Sequence, residues 1–300
     1  MPDKDISRHF PIKTFVLTAL ALIAFAANSV LCRLALGGNS IDAASFTVIR
    51  LLAGAITLAL ILCIARKRKN PFMGGRWPAA FMLFLYAITF SYAYVSLDTG
   101  TGALILFGSV QITMILAGLL SGVRLHMIEW AGVLIAFGGF VYLVLPGVTA
   151  PSMSGFLLMT LAGIAWGMYT LKGKDSRDPL ADTAGNFVQT LPFIIVLAFV
   201  TVKQTQFSTP GVIYAVLSGA IASGLGYTIW YTALGGLSGT LAAVVQLLVP
   251  VIAAAGGVLF MSEVVSLRLT LSAILVLGGI LMVTLGRSHV KKSVNAIAPD

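Results

Sequence analysis

The chain has 300 residues, of which 58% are hydrophobic and 10% charged, with 19 Lys and Arg against 10 Asp and Glu. Soluble domains carry about 25% charged residues, so this composition cannot clothe a water-exposed surface and excludes an ordinary soluble domain. The net charge of +9 does not mark a nucleic-acid binder, because the cations sit in short segments between apolar runs rather than on one face of a folded domain.

Lys4, Arg8 and Lys13 precede the first apolar run, and Ala24-Phe25-Ala26 resembles a signal-peptide cleavage site. The run continues to Leu36 and further spans follow, which predicts an uncleaved first helix. In order, the apolar runs are Thr14–Leu36, Asp42–Ile64, Pro78–Leu97, Thr101–Ser121, Ile128–Leu145, Ser154–Leu171, Asp182–Val202, Gly211–Leu234, Thr240–Met261 and Leu267–Leu285. Each can cross roughly 30 Å of hydrocarbon. Within that medium the backbone must satisfy its own hydrogen bonds, so the runs are read as helices. The expected fold is all-α, a polytopic membrane protein of ten transmembrane helices with short connections.

Lys and Arg set the orientation. The side holding both termini carries Lys4, Arg8, Lys13, Arg66, Lys67, Arg68, Lys69, Arg76, Arg124, Lys172, Lys174, Arg177, Arg287, Lys291 and Lys292. The other side has Lys203 and Arg268. Both termini are therefore expected in the cytoplasm and the chain in the inner (plasma) membrane.

The halves resemble each other. Gly138-Gly139 recurs as Gly278-Gly279, and Phe25-Ala26 with Arg33 recurs as Trp166-Gly167 with Lys174. Five spans per half is an odd number, so the repeats, 1–147 and 148–300, insert in opposite senses. Such inverted repeats imply a solute site near the midplane and alternating access around it.

Candidate site residues follow from what hydrocarbon does not tolerate. None of the acidic residues falls at the centre of a span, and His9, His126 and His289 lie outside the spans. Proton-coupled carriers use an intramembrane carboxylate or His, so uncoupled or exchange transport is expected. Amides facing lipid are costly; Asn28, Gln111 and Gln246, nearest mid-span, are expected to face a cavity. Tyr227, Trp230 and Tyr231 share one helix face at i, i+3 and i+4. With Trp166, Tyr169 and Tyr92 they complete a candidate substrate pathway. Trp77 and Trp130 fit an interfacial belt instead. Arg33 and Arg50, with Lys174 as inner counterpart, form a candidate charged vestibule; snorkelling, or pairing with Asp42 or Asp98, is the alternative. Gly132, Gly139, Ser272 and Gly279 would let the fifth and tenth helices pack closely, while Gly224, Gly226 and Pro250 would loosen the eighth and ninth.

Several segments resemble the drug/metabolite transporter superfamily, specifically its EamA-type ten-helix members. They are Phe25-Ala26-Ala27-Asn28-Ser29 through Arg33, Ile49-Arg50-Leu51-Leu52-Ala53, Gly122-Val123-Arg124-Leu125 with Glu129-Trp130-Ala131-Gly132, Ala165-Trp166-Gly167, Val249-Pro250-Val251 and Ser262-Glu263-Val264. Val123 stands where the family has Glu, and Phe25 where it has Trp. The resemblance implies solute export, with YddG-like exporters of aromatic and other neutral amino acids as the nearest subtype.

The expected function is thus a carrier for small neutral or zwitterionic solutes, amino acids foremost. Other metabolites, organic cations, a passive channel or an intramembrane enzyme are the alternatives. The expected partners are the solute and the lipid bilayer, with no nucleic acid, no cofactor and no metal. Cys32 and Cys63 have neither a zinc nor a disulfide spacing. Oligomeric state is left open.

Overall fold

The computed structural model describes residues 12–65, 75–122, 125–147, 149–173, 176–237 and 239–297. Lys4, Arg8, Arg66, Lys67, Arg68, Lys69, Val123, Arg124 and Lys174 lie outside the described residues. Ten helices are long and apolar enough to cross a membrane. They are α1 (Ile12–Gly37), α2 (Ala43–Ile64), α3 (Trp77–Tyr94), α4 (Thr99–Leu120), α5 (Met127–Val144), α6 (Met153–Gly173), α7 (Pro179–Gln204), α8 (Thr209–Leu234), α9 (Leu241–Met261) and α10 (Leu267–Gly286). The predicted spans differ from these by three residues or fewer at either end. Large apolar side chains such as Phe137, Phe199 and Leu259 point outward, as a hydrocarbon solvent permits.

Local chemistry fixes several helix starts. The Asp178 side chain accepts from Ala181 N at 3.3 Å, and Ser208 Oγ accepts from Gly211 N at 3.3 Å. Glu129 closes a capping box onto His126 N at 2.7 Å. Pro sits in the first turn of α3, α7 and α8, where its missing N–H costs nothing.

The first-half helices α1 to α5 run without interruption. Among the described residues, three second-half helices do not. α7 divides at Thr190, just ahead of Pro192. α8 widens into a π-helical stretch over Ser218–Leu225. α9 divides after Gln246 and resumes at Val249, with Pro250 in the new first turn. Proline removes a backbone donor in each divided helix, so the Pro250 and glycine-rich segments expected to loosen α8 and α9 coincide with irregular backbone.

Helix neighbours obey a pseudo-two-fold pattern. α5 lies along α10, α4 along α9 and α2 along α7. α6 packs against α3 and α4, and α1 packs in the same way against α8 and α9. Exchanging the first five helices for the last five maps this set of neighbours onto itself, as two inverted five-helix repeats require. The α5–α10 contact depends on two glycines. A Cβ on Gly132 would lie 2.5 Å from the Gly279 carbonyl oxygen, and one on Gly279 would strike the Gly132 carbonyl. The two backbones touch, as small residues in membrane helices allow.

Candidate functional site

Helices α1, α3, α4 and α6 to α9 line a chamber of about 420 Å³, within the roughly 300–1,000 Å³ typical of small-molecule sites. It runs from mid-span residues Asn28, Tyr86 and Gln111 to Gly173, Ser176 and Pro179 on the side that holds both termini. Eight predicted pathway residues line it: Asn28, Gln111, Trp166, Tyr169, Tyr227, Trp230, Tyr231 and Gln246. Lys174 lies outside the described residues.

One wall is aromatic. Trp166 of α6 stacks on Tyr169 and on Tyr227, with ring centroids 5.2 and 5.3 Å apart. Its other neighbour is Tyr86 of α3 at 4.8 Å. Phe25 of α1 meets Tyr227 at 5.8 Å and Trp230 at 5.7 Å. Four helices thus contribute rings to one surface, with the offset and tilted geometries that aromatic pairs favour. Phe25, standing where the resembled family has Trp, is part of this wall.

Tyr92 does not belong to it. The residue is 40% exposed and lies outside the chamber. In α3 the chamber face carries Tyr86 and Phe90, and two further residues turn the helix by about 200°. Residue type suggested Tyr92; helical phase excludes it.

Polar groups gather at the deep end. Ser218 Oγ, at the start of the π-helical stretch, donates to Asn28 Oδ1 at 2.6 Å. Asn28 Nδ2 donates to the Tyr86 hydroxyl at 3.2 Å, and Arg50 Nη2 donates to the same oxygen at 3.0 Å. The Arg50 guanidinium lies 5.2 Å from the Tyr86 ring centroid and 4.8 Å from that of Phe90. Arg50 is therefore not a vestibule residue. It is 2% exposed, held behind two rings, and neither snorkels nor pairs with Asp42 or Asp98. Gly219 lets α8 pack directly on the α2 backbone at this level, because a Cβ there would collide with the Arg50 carbonyl oxygen.

Arg33 ties the opposite side shut. Its Nε contacts Glu263 Oε1 at 3.3 Å and its Nη2 contacts Asp98 at 3.4 Å. Nη1 donates to the Tyr94 and Val95 carbonyls. Glu263 also accepts from Thr99 N at 2.9 and 3.1 Å and from Thr99 Oγ1 at 3.1 Å. Two carboxylates meet one cation, so this cluster is not the positive vestibule expected; of the alternatives, pairing with Asp98 is the one realised. A second tie joins the α1–α2 and α7–α8 loops. Asp42 accepts from Ser45 N at 2.8 Å and from Gln206 N at 2.9 Å, and Ser208 N donates to the Ser40 carbonyl at 2.8 Å. Burial pushes the Asp42 carboxyl up, but these N–H donors outweigh burial and hold it below its ordinary 3.8.

Sequence reasoning missed two contributors, Tyr86 and Asp182, and read Asn186 as an intramembrane amide without placing it in the chamber. Tyr86 was not singled out, although its spacing from Phe90 and Tyr94 marks one helix face. Asp182 lines the terminal-side mouth and accepts from Ser176 Oγ at 2.5 Å. Asn186 accepts from Arg76 N at 2.8 Å and donates to Tyr169 at 3.4 Å, which docks the start of α3 on α7. Among the described residues no cluster of three or more His, Cys, Asp or Glu is placed to hold a metal ion.

Ten membrane-length helices in inverted halves around a central chamber define a multi-pass membrane protein of the transporter class. The EamA-like transporter family matches the chain twice, over residues 12–145 and 153–285, and the chain belongs to this family. An uncharacterized protein of Pseudomonas aeruginosa is 50% identical over 94% of this chain and 96% of its own. An uncharacterized transporter of Archaeoglobus fulgidus is 25% identical over 91% and 97%, and the uncharacterized transporter YoaV of Bacillus subtilis is 20% identical over 83% and 89%. A crystal structure at 18% identity superposes with a TM-score of 0.57, covering 89% of this chain and 98% of the other; it attests the fold. The protein is a membrane transporter of the drug/metabolite kind.

Proposed function

We propose that the protein exports small neutral or zwitterionic organic solutes, amino acids including aromatic ones, by alternating access. The observation that carries this reading is the chamber itself, an aromatic and amide-lined cavity reaching from mid-span to one face and tied shut at the other. Its rings offer an apolar stacking surface, and Asn28, Gln111 and Gln246 offer groups that donate and accept hydrogen bonds. The distribution of Lys and Arg supports an inner-membrane location with cytoplasmic termini. On that orientation the chamber faces the cytoplasm, the loading side for an exporter. Asp182 lies near the start of α7, at the mouth rather than at mid-span, so the reading includes no intramembrane acid for proton coupling.

Reconstitution into liposomes with a panel of neutral amino acids tests the proposal. Saturable flux with trans-stimulation is expected, weakened by Trp166→Ala and Gln246→Ala. Linear, non-saturating flux would make the protein a channel. Concentration of substrate by a pH gradient alone would refute uncoupled transport.

A further inference from the structure

We propose that Tyr86, charged from behind by Arg50, is the seat for a carboxylate at the closed end of the chamber, so the solute carries an acid group. The inference rests on the chamber being the solute path and names the chemical group bound there.

Arg50 presents the first observation. Its guanidinium is buried, and Nη1 has no hydrogen-bond partner. Among the described residues the ion pairs belong to Arg33; Arg50 makes none. The groups that act on it electrostatically are the phenols of Tyr86 and Tyr227 and the thiol of Cys32, none of them a carboxylate. A buried, uncompensated cation is costly. The faces of Tyr86 and Phe90 offset part of that cost but supply no acceptor.

Tyr86 presents the second. A phenolic hydroxyl has one hydrogen and accepts through its oxygen. Here the oxygen accepts from both Arg50 Nη2 and Asn28 Nδ2. Ser218 Oγ donates to Asn28 Oδ1, and in this arrangement the amide nitrogen is the atom toward Tyr86. The hydroxyl hydrogen therefore needs an acceptor elsewhere, and among the described residues no protein group accepts it. Tyr86 lines the chamber, and Asp182, the carboxylate of the lining, stands at the opposite end near the mouth. An acceptor from the solute completes the arrangement. A donor bonded to a guanidinium favours an anionic acceptor over a neutral one, which selects carboxylate over amide. Trp166, stacked beside Tyr86 and Tyr227, would then cover the apolar part of the same molecule. Arg50 is a positioning residue in this scheme, because it acts through Tyr86.

The test uses purified full-length protein in detergent and two matched pairs of ligands. These are 3-phenylpropanoate with 3-phenylpropanamide, and L-phenylalanine with L-phenylalaninamide. Calorimetry gives each Kd. The acid is expected to bind at least tenfold more tightly than its amide in each pair. Tyr86→Phe, which removes only the hydroxyl, should bring that ratio close to one. Arg50→Gln should do the same, and Arg50→Lys should restore part of it. Equal binding of acid and amide to the native protein would overturn the inference. So would a ratio that survives Tyr86→Phe. If Arg50→Gln does not fold, Tyr86→Phe alone decides. The outcomes also separate this inference from the amino acid reading. Selective binding of 3-phenylpropanoate without transport of any neutral amino acid would sustain the acid seat and overturn that reading. Transported amino acids whose amides bind equally well would do the reverse.

Discussion

Glu263 is the group whose removal should open the opposite side. Glu263→Gln keeps the shape and deletes the charge. The carboxylate holds Thr99 through backbone and hydroxyl and Arg33 through Nε, and its side chain is 13% exposed. Hydrogen bonds to charged groups contribute about 1.5–3 kcal/mol, and Gln retains one acceptor for Thr99, so the closed state loses about 2 kcal/mol. At about 1.4 kcal/mol per factor of ten, the open-to-closed ratio rises roughly 30-fold. Asp98→Asn is the contrast. Its side chain is 62% exposed, and exposed pairs contribute about 0–1 kcal/mol, so the ratio rises by no more than about fivefold.

The assay places a thiol at Phe25, which lines the chamber near mid-span and is half-buried, in a Cys32→Ala, Cys63→Ser background. Oriented vesicles are treated with a membrane-impermeant maleimide from either side. The parent protein should label from the terminal side. Glu263→Gln should add labelling from the opposite side, well above that of Asp98→Asn. Equal effects of the two substitutions would refute the reasoning. So would unchanged opposite-side labelling in a Glu263→Gln protein that still labels from the terminal side.

Three further outcomes follow from local geometry. Gly132→Ala forces α5 away from the Gly279 carbonyl and should cost about 1–3 kcal/mol, read as a lower Tm in detergent; Gly138→Ala, which meets nothing within 4 Å, should leave Tm unchanged. Ser262 ends α9 in the left-handed region at φ 54°, so Ser262→Gly should stabilise the turn by about 1 kcal/mol, read in the same melting experiment. Asp42 has a depressed pKa, so its stabilisation is present above about pH 3.8 and lost as pH falls through the lower folded value. Protection of the Ser45 and Gln206 amides against hydrogen exchange, taken relative to the intrinsic rate at each pH, should fall across that acid window, and Asp42→Asn should remove the step.

What could be read from the sequence was what hydrocarbon forbids. The spans were legible because length and apolarity alone define them. Asn28, Gln111, Gln246, Trp166 and Tyr227 were legible because polar atoms and deep Trp or Tyr rings need protein neighbours. Tyr92 was misplaced because the same argument says nothing about helical phase. Arg50 was misread because its burial depends on Tyr86 and Phe90, which meet it from another helix. The Arg33–Glu263 tie spans 230 residues, and no local pattern encodes such a pairing. The π-helical stretch of α8 was equally hidden, since Gly224 and Gly226 suggest looseness without specifying an i+5 ladder.

The symmetry of the repeats does not extend to stiffness. Among the described residues the interruptions fall at Thr190, at Ser218–Leu225 and after Gln246, all in the second half. Each adjoins the chamber through Asn186, Ala222 or Gln246. The loosened backbone is partly re-satisfied in place, as where Thr190 Oγ1 donates to the Phe187 carbonyl at 2.7 Å, so these bends carry a small cost. Both opposite-side ties, Arg33 to Glu263 and Asp42 to Gln206, join the regular half to the irregular one. For the alternating access proposed above, bending of the second half against a stiffer first half fits this architecture better than rocking of two equal rigid bodies. In that scheme Asn28 has a particular place. It bonds Tyr86 on the stiff half and Ser218 at the start of the π-helical stretch, so a solute drawing on the Tyr86 hydroxyl acts two hydrogen bonds from the segment that must bend.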